Sequence, residues 1–479
     1  MTRHAALEMC VSLLYFICMG ARTVMILLAW AALAPEARAQ LPALQRAVAA
    51  AEAMGVRTGV VVCDEQADVL YRRRAAEAFA PASNMKLLTA AVVLHGLGAD
   101  FEFVTTFSVE GGELRVSASA DPNWVSGTAH DATVVFAELA AALRRRGTRE
   151  LVGVNLDAGV FTGPSRPSTW PQDQLYAYYC APTGPFALEC NTFVVGIERS
   201  GGRHARASLV APQAGYPITG AIREVSTSKG ATYGAIDEGG AVRVRGKFYR
   251  KSPRVEIKTS VRDPSRWYRD TLIYQLKRAG IRFSAGAPRA DLGVVYRHRS
   301  PISSALRRML EDSSNFDAEQ CLRALGAKTQ GDGSLAGGLL ALRSGIESLC
   351  GRVPAAVNLA DGSGLSKQNR LTPGLLAVAM YELGKLDLWD VLAPHLPVAG
   401  RTGTLKQRFR GGDLIGKVRA KTGWIRGASA LSGVVEGASE KRWFAILMNY
   451  DRSRSGVNKD LKRLQEDIVA AVYGMQSER

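Results

Sequence analysis

An α+β fold is predicted for this chain of 479 residues, with an antiparallel sheet assembled from both chain ends, helices flanking it, and strand-rich segments inserted between. Three observations predict it. Each chain end offers alternating apolar strands beside an amphipathic helix. One helix near the first strands is apolar on nearly every face and must lie inside. From about Thr105 to Ser300 the texture changes to short strands, Gly and Pro, far too long a stretch for a loop.

At the N-terminus, Met25–Ala34 is an apolar run of signal-peptide length behind Arg22, and Ala37-Arg38-Ala39 is a small-residue cleavage site. Cleavage before Gln40 is expected, with 1-39 removed; Met19 would make a tidier start than Met1. Ile26–Leu33 is too short to cross a bilayer, so no transmembrane segment is expected in the mature chain and a periplasmic or secreted location is. Processing leaves 440 residues with 58 basic and 42 acidic side chains, a net +16. With 47% hydrophobic and 22% charged residues the composition is globular. The positive excess suits an acidic polymer such as anionic cell-wall material. Nucleic acid is disfavoured, because no basic-aromatic motif, zinc spacing or recognition helix occurs. Five cysteines remain: Cys63, Cys180, Cys190, Cys321 and Cys350. An odd count leaves at least one thiol free, Cys180 with Cys190 and Cys321 with Cys350 are conceivable pairs, and no Cys-x-x-Cys spacing suggests a metal.

Leu41–Ala53 reads as an amphipathic helix, and Thr58–Cys63 and Asp68–Tyr71 as strands around a turn at Asp64–Ala67. Phe79–Lys86 then leads into the apolar run Leu87–Leu94, which Gly96 and Gly98 should stop. Ser83 and Lys86 are three residues apart and share a helical face. A lysine held against apolar surroundings loses its proton more easily and becomes a general base for a serine nucleophile. Free N–H groups at the helix start can receive an oxyanion. Taken alone, the pair reads as a helix cap and a surface lysine. A second Ser-x-x-Lys at Ser226–Lys229 lies in a polar stretch and reads as a loop.

In the middle, Glu113–Ser119, Val152–Leu156, Thr192–Ile197 and Ala241–Lys247 have strand character, and Val134–Arg146 and Arg266–Ala279 look helical. One or two inserted domains are expected: 105-177 with 256-299, and 178-255 within it. The remainder, 40-104 and 300-479, forms the main domain. Its later part predicts a helix at Ile302–Leu310, strands at Gly416–Ala420, Ala428–Glu436 and Lys441–Tyr450, and a closing helix at Asn458–Tyr473.

Two more clusters accompany Ser83. Ser313-Ser314-Asn315 follows a helix, and Lys421-Thr422-Gly423 ends a predicted edge strand. There Lys and Thr can hold a carboxylate, and Gly lets a ligand backbone approach. Ser313 can relay a proton and Asn315 can donate to a carbonyl. Each tripeptide means little alone. Their order, each on a suitable element, carries the signal.

With these motifs the chain resembles the penicillin-binding D-alanyl-D-alanine carboxypeptidase/endopeptidase family of the low-molecular-mass class C type. Asp361–Ser366 with Asn369–Pro373 is similar to that family's signature loop, as are Leu396–Gly400 with Gly403–Leu405 and Arg408, Asp121-Pro122, and Tyr178-Tyr179 with Ala181-Pro182. The 230-residue spacing from Ser83 to Ser313 separates it from related β-lactamases. The resemblance implies a penicillin-binding/β-lactamase-like transpeptidase domain and an acyl-enzyme on Ser83. Lys86 is then the base, Ser313 the proton shuttle, Asn315 a substrate ligand, and Lys421, Thr422 and Gly423 the carboxylate site. The N–H groups of Ser83 and Trp424 form the oxyanion hole. Implied partners are peptidoglycan stem peptides as substrates and β-lactams as covalent inhibitors; no cofactor and no metal are implied, and a homo-oligomer stays open.

The chain departs from the family pattern twice. Ser314 stands where Asp is usual, at a position expected to take no direct part. Trp424 stands where Thr is usual, which removes a hydroxyl and puts a ring at the pocket rim. The competing reading is a catalytically weak or inactive peptidoglycan-binding protein of the same fold. The Asp361–Ser366 loop is assigned a structural or site-wall role and no chemical one. A Ser-His-Asp hydrolase is disfavoured, because no Gly-x-Ser-x-Gly elbow occurs.

Overall fold

The computed structural model describes residues 42–210, 214–437 and 440–475. The expected leader, its cleavage site at Ala39, Cys10, Cys18 and the Leu41 start of the first helix lie outside them.

The chain opens with α1 (Pro42–Ala53), β1 (Arg57–Cys63), β2 (Val69–Arg73) and α2 (Met85–Leu97). It then forms β3 (Glu102–Glu110), β4 (Glu113–Ser117), α3 (Ala132–Arg145), β5 (Glu150–Leu151), β6 (Gly153–Asp157), β7 (Thr192–Glu198), β8 (Arg206–Leu209), β9 (Ile218–Val225), β10 (Tyr233–Asp237), β11 (Val242–Tyr249), β12 (Val255–Ser260), α4 (Pro264–Arg278), β13 (Arg282–Phe283) and β14 (Gly293–Pro301). The last part holds α5 (Ile302–Leu310), α6 (Asn315–Gln330), α7 (Leu335–Cys350), α8 (Pro373–Lys385), α9 (Trp389–Leu392), β15 (Val418–Ile425), β16 (Ala428–Glu436), β17 (Lys441–Asn449) and α10 (Val457–Tyr473).

Both chain ends build one five-stranded sheet in the order β15-β16-β17-β1-β2, antiparallel at every step. Period-two alternation divides its side chains between two cores. Val61, Ala430, Ala445 and Leu447 face α2 and the helices around it. Val60, Leu431, Phe444 and Ile446 face Leu44 and Val48 of α1 and Leu461 and Ile468 of α10. Every residue of α2 from Met85 to Leu94 is buried, Lys86 included. A helix apolar all round takes the central position because neighbours cover each face.

A separate hydrophobic core, running from Phe107 to Ile281 in sequence, underlies the strand-rich middle. It holds the sheets β14-β3-β4-β6, β12-β7-β8, β10-β11-β9 and the pair β13-β5. β3 and β14 pair antiparallel, Phe103 opposite Ser300, so the chain leaves the helical body and returns to it side by side.

Three local expectations are corrected. Gly96 does not stop α2: a Cβ there would lie 2.6 Å from Leu325 Cδ1, so glycine serves close packing against α6, and Gly98 at φ 87° ends the helix. Ser83 sits in a single 3₁₀ turn, Ala82–Asn84, that precedes α2. The strand carrying Lys421 runs from Val418 to Ile425, so the Lys-Thr-Gly tripeptide lies within it rather than at its end. The five described cysteines are all free thiols. Cys321 and Cys350 pack as small apolar groups in the first core instead of pairing.

Candidate active site

The turn that carries Ser83 is held from both sides. Pro81 and Ala82, the latter at φ 47°, fold the chain so that Ser83 stands at the head of α2. Asn84 donates from Nδ2 to the Lys421 carbonyl at 2.8 Å, which ties the turn to β15. Gly423 faces the same turn, where a Cβ would come within 2.8 Å of Pro81 O and 3.1 Å of Asn84 N. That approach requires glycine. Lys421 and Gly423 therefore share the strand face that looks at Ser83.

One turn beyond Ser83, in the first turn of α2, Lys86 Nζ donates to Ser83 Oγ at 3.1 Å, to Asn315 Oδ1 at 2.6 Å and to the Ser363 carbonyl at 2.6 Å. The lysine is fully buried. Burial pushes its pKa down to about 8, against the opposing pull of Asp361 and Glu319. An amine so placed is partly neutral at physiological pH and hydrogen-bonded to a hydroxyl, the requirement for a general base.

Ser313 lies in the left-handed region at φ 60°, in the turn between α5 and α6. Its hydroxyl accepts from Lys421 Nζ at 2.9 Å. Lys421 Nζ also donates to the Thr422 carbonyl at 3.1 Å, and no carboxylate pairs with it among the described residues. Burial, then the charge of Lys86, holds the Lys421 pKa well below the usual lysine range. Ser314 is the N-cap of α6, its hydroxyl accepting from Asp317 N at 3.2 Å. The Asp usual at that position would cap equally well, which explains why serine is tolerated there. Asn315 opens α6 and spends one Nδ2 hydrogen on the Tyr179 carbonyl at 2.9 Å, leaving the other without a partner among the described residues. Below the turn, Arg308 grips Asp317 Oδ1 from Nε at 3.0 Å and Nη2 at 2.6 Å, and also reaches Asn123.

The Thr422 hydroxyl contacts Thr404 Oγ1 at 2.7 Å. Ala420 N donates to Pro397 O and Ala399 N to Val418 O, so positions 418 and 420 turn their backbone polar groups to the outer edge of β15. Continued alternation turns the Trp424 N–H to that edge as well. Trp424 is 56% exposed.

All eight sequence-derived site residues thus converge on one region, where β15, the Ser83 turn and the α5–α6 turn meet. Sequence reasoning missed three contributors. The signature loop does touch the chemistry, because its Ser363 carbonyl accepts from Lys86. Glu319 is fully buried and accepts from Gly362 N at 3.0 Å and Ser363 N at 2.8 Å. Burial, reinforced by Asp361, raises its pKa to about 8. Its spacing of four from Asn315 on one helix was the available signal. Thr404 was noted only as part of a resembling segment. Among the described residues no group of three His, Cys, Asp or Glu is placed to hold a metal.

A buried amine on a serine hydroxyl, a second hydroxyl–amine pair beside it and an open strand edge define a serine-dependent acyl-transfer enzyme. The chain belongs to the D-Ala-D-Ala carboxypeptidase 3 (S13) family, whose model matches residues 40–468. It is 29% identical over 434 residues to a D-alanyl-D-alanine carboxypeptidase of Actinomadura, covering 82% of this chain and 78% of that one. It is 25% identical over 394 residues to the D-alanyl-D-alanine carboxypeptidase DacB of Haemophilus influenzae, covering 77% and 80%. The crystal structure of penicillin binding protein 4 from Haemophilus influenzae has the same fold, with a TM-score of 0.74 at 22% identity over 88% of this chain and 97% of that one.

Proposed function

We propose that the protein is a serine-type D-Ala-D-Ala carboxypeptidase of peptidoglycan stem peptides that also cleaves the corresponding D-Ala cross-link as a DD-endopeptidase. The observation that carries this reading is the 3.1 Å contact between Lys86 Nζ and Ser83 Oγ, made by a lysine with no exposure and a lowered pKa.

Neutral Lys86 takes the Ser83 proton as Oγ bonds to the carbonyl carbon between the two D-alanines. The oxyanion forms toward the N–H groups of Ser83 and Trp424. Expulsion of the amine breaks the C–N bond. The proton held by Lys86 returns to the departing nitrogen through Ser313, whose hydroxyl Lys421 steadies. Water then attacks the ester with Lys86 again as base, which releases the shortened peptide and restores Ser83.

The substrate carboxylate supplies the counter-charge that Lys421 lacks, with Thr422 beside it. The free Asn315 N–H holds a substrate carbonyl. A β-lactam carries an acyl carbonyl and a carboxylate in a similar arrangement, so it should acylate Ser83 and block it. We assign 40–104 and 300–479 to the catalytic domain, 105–177 with 256–299 to a first inserted domain and 178–255 to a second. Peptidoglycan as substrate and the expected leader support a periplasmic or secreted location. Among the described residues no helix is long and apolar enough to cross a membrane.

D-alanine release from a purified muropeptide pentapeptide tests the reading. Wild type should release it and Ser83→Ala should not. Equal release from both would reject it.

A further inference from the structure

A cavity of about 620 Å³ lies between the start of α4 and the flank of α6, lined by residues outside the catalytic constellation. Its volume is that of a small-molecule site. Three arginines, Arg262, Arg266 and Arg323, line it with two acids that are already engaged. Asp263 caps α4 by accepting from Arg266 N at 3.0 Å, and Glu238 pairs with Arg243 at 2.6 Å.

Arg262 and Arg266 are solvent-exposed and carry little pairing, whereas Arg323 is buried. The Arg262 side chain has no hydrogen bond or ion pair among the described residues, and Arg266 reaches only Asp270, at 3.5 Å. Arg323 is 1% exposed and has neutral partners throughout: Thr183 Oγ1 and the carbonyls of Thr162, Pro164 and Gly333. Those four bonds leave one of its five N–H donors unused. Burial lowers the Arg323 pKa to about 10, with weak opposition from Glu319 and Asp332. A buried guanidinium without a paired carboxylate is costly unless an anion arrives.

Phe161, Pro185 and Phe186 add apolar surface to the same lining. Gly184 is buried, lines the cavity, and a Cβ on it would meet no atom within 4 Å. A lining that combines cationic groups with aromatic and apolar ones suits an organic anion with an apolar part better than bare phosphate. We propose that this cavity is a second binding site, for a short carboxylate-bearing peptide. Identifying that peptide as a peptidoglycan stem rests on the function proposed above.

The site is wired to the catalytic lysine. Asn315, Glu319 and Arg323 follow at intervals of four along one face of α6, spanning roughly 12 Å. Asn315 accepts from Lys86, Glu319 holds the N–H groups of the loop whose Ser363 carbonyl also accepts from Lys86, and Arg323 closes the cavity.

The test uses full-length mature enzyme whose Ser83 has first been acylated with penicillin, so that only other sites remain open. A stem tripeptide lacking both terminal D-alanines is titrated calorimetrically, beside sodium phosphate. Wild type should bind the tripeptide, and Arg262→Ala/Arg266→Ala should weaken binding at least tenfold while taking up penicillin at an unchanged rate. Gly184→Leu, which fills the space, should weaken it similarly. Absence of tripeptide binding, equal affinity in the variants, or phosphate binding as tightly as the tripeptide would each overturn the proposal, the last marking an adventitious anion site only. Failure to take up penicillin at all would strike instead at the proposed function, and the comparison of wild type with the arginine and Gly184→Leu variants would then separate cavity binding from binding at the open Ser83 site.

Discussion

Gly364 lies against the Ala82 carbonyl so closely that a Cβ would come within 1.9 Å of the oxygen, and its φ of 82° is a left-handed conformation. The signature loop thus locks the position of the turn that carries Ser83. Gly364→Ala should displace that turn by the better part of an ångström and slow penicillin acylation by about 100-fold. Stopped-flow acylation kinetics check this, with near-ultraviolet circular dichroism to verify the remaining fold.

The lowered pKa of Lys86 fixes the direction of a pH profile. With the neutral amine as the proposed base, acylation should rise with pH and level off above about 8. Lys86→Ala should abolish that ascending limb and reduce the rate by roughly 10²–10⁴-fold. The measurement is the second-order acylation rate from pH 6 to 10.

Two buried carboxyls give stability the opposite slope. Burial raises Asp121 to about 6 and Glu319 to about 8, both above their unfolded values. A raised carboxyl pKa means the folded state holds the proton more tightly. Their contribution is greatest below pH 4 and is lost as pH climbs to 8. Thermal unfolding should therefore occur at lower temperature at pH 8 than at pH 5, and Asp121→Asn with Glu319→Gln should flatten the difference.

The turn that presents Ser313 depends on a buried ion pair. Asp317 is fully buried on Arg308, and its loss would strand the guanidinium. Asp317→Ala should cost about 3–5 kcal/mol of stability. Ser314→Ala should cost about 1 kcal/mol through the lost cap, while Ser314→Asp should cost almost nothing. Urea unfolding curves separate the three.

The sheet, its flanking helices and the grouping of the eight residues proposed as the site were legible because their signals are local. Alternation marked β16 at its observed limits, the all-apolar α2 announced its central burial, and motif order placed Ser83, Ser313 and Lys421. Gly96 was misread because its reason is tertiary: Leu325 comes from 229 positions away. Ser363 acts through a carbonyl, which every residue possesses, so no side-chain pattern could mark it. Glu319 reads as an ordinary helical acid until the fold buries it. Sequence ends β15 at Ala420, whereas the strand continues to Ile425 and uses Gly423 to lie against Pro81.

The central claim is that Ser83 is the nucleophile activated by Lys86. Incubating the mature enzyme with a labelled penicillin and mapping the modified peptide by mass spectrometry tests it most directly. The account predicts a single adduct on Ser83, absent from Ser83→Ala and formed far more slowly in Lys86→Ala. An adduct on another residue, or an unmodified Ser83 in folded wild-type enzyme, would contradict it.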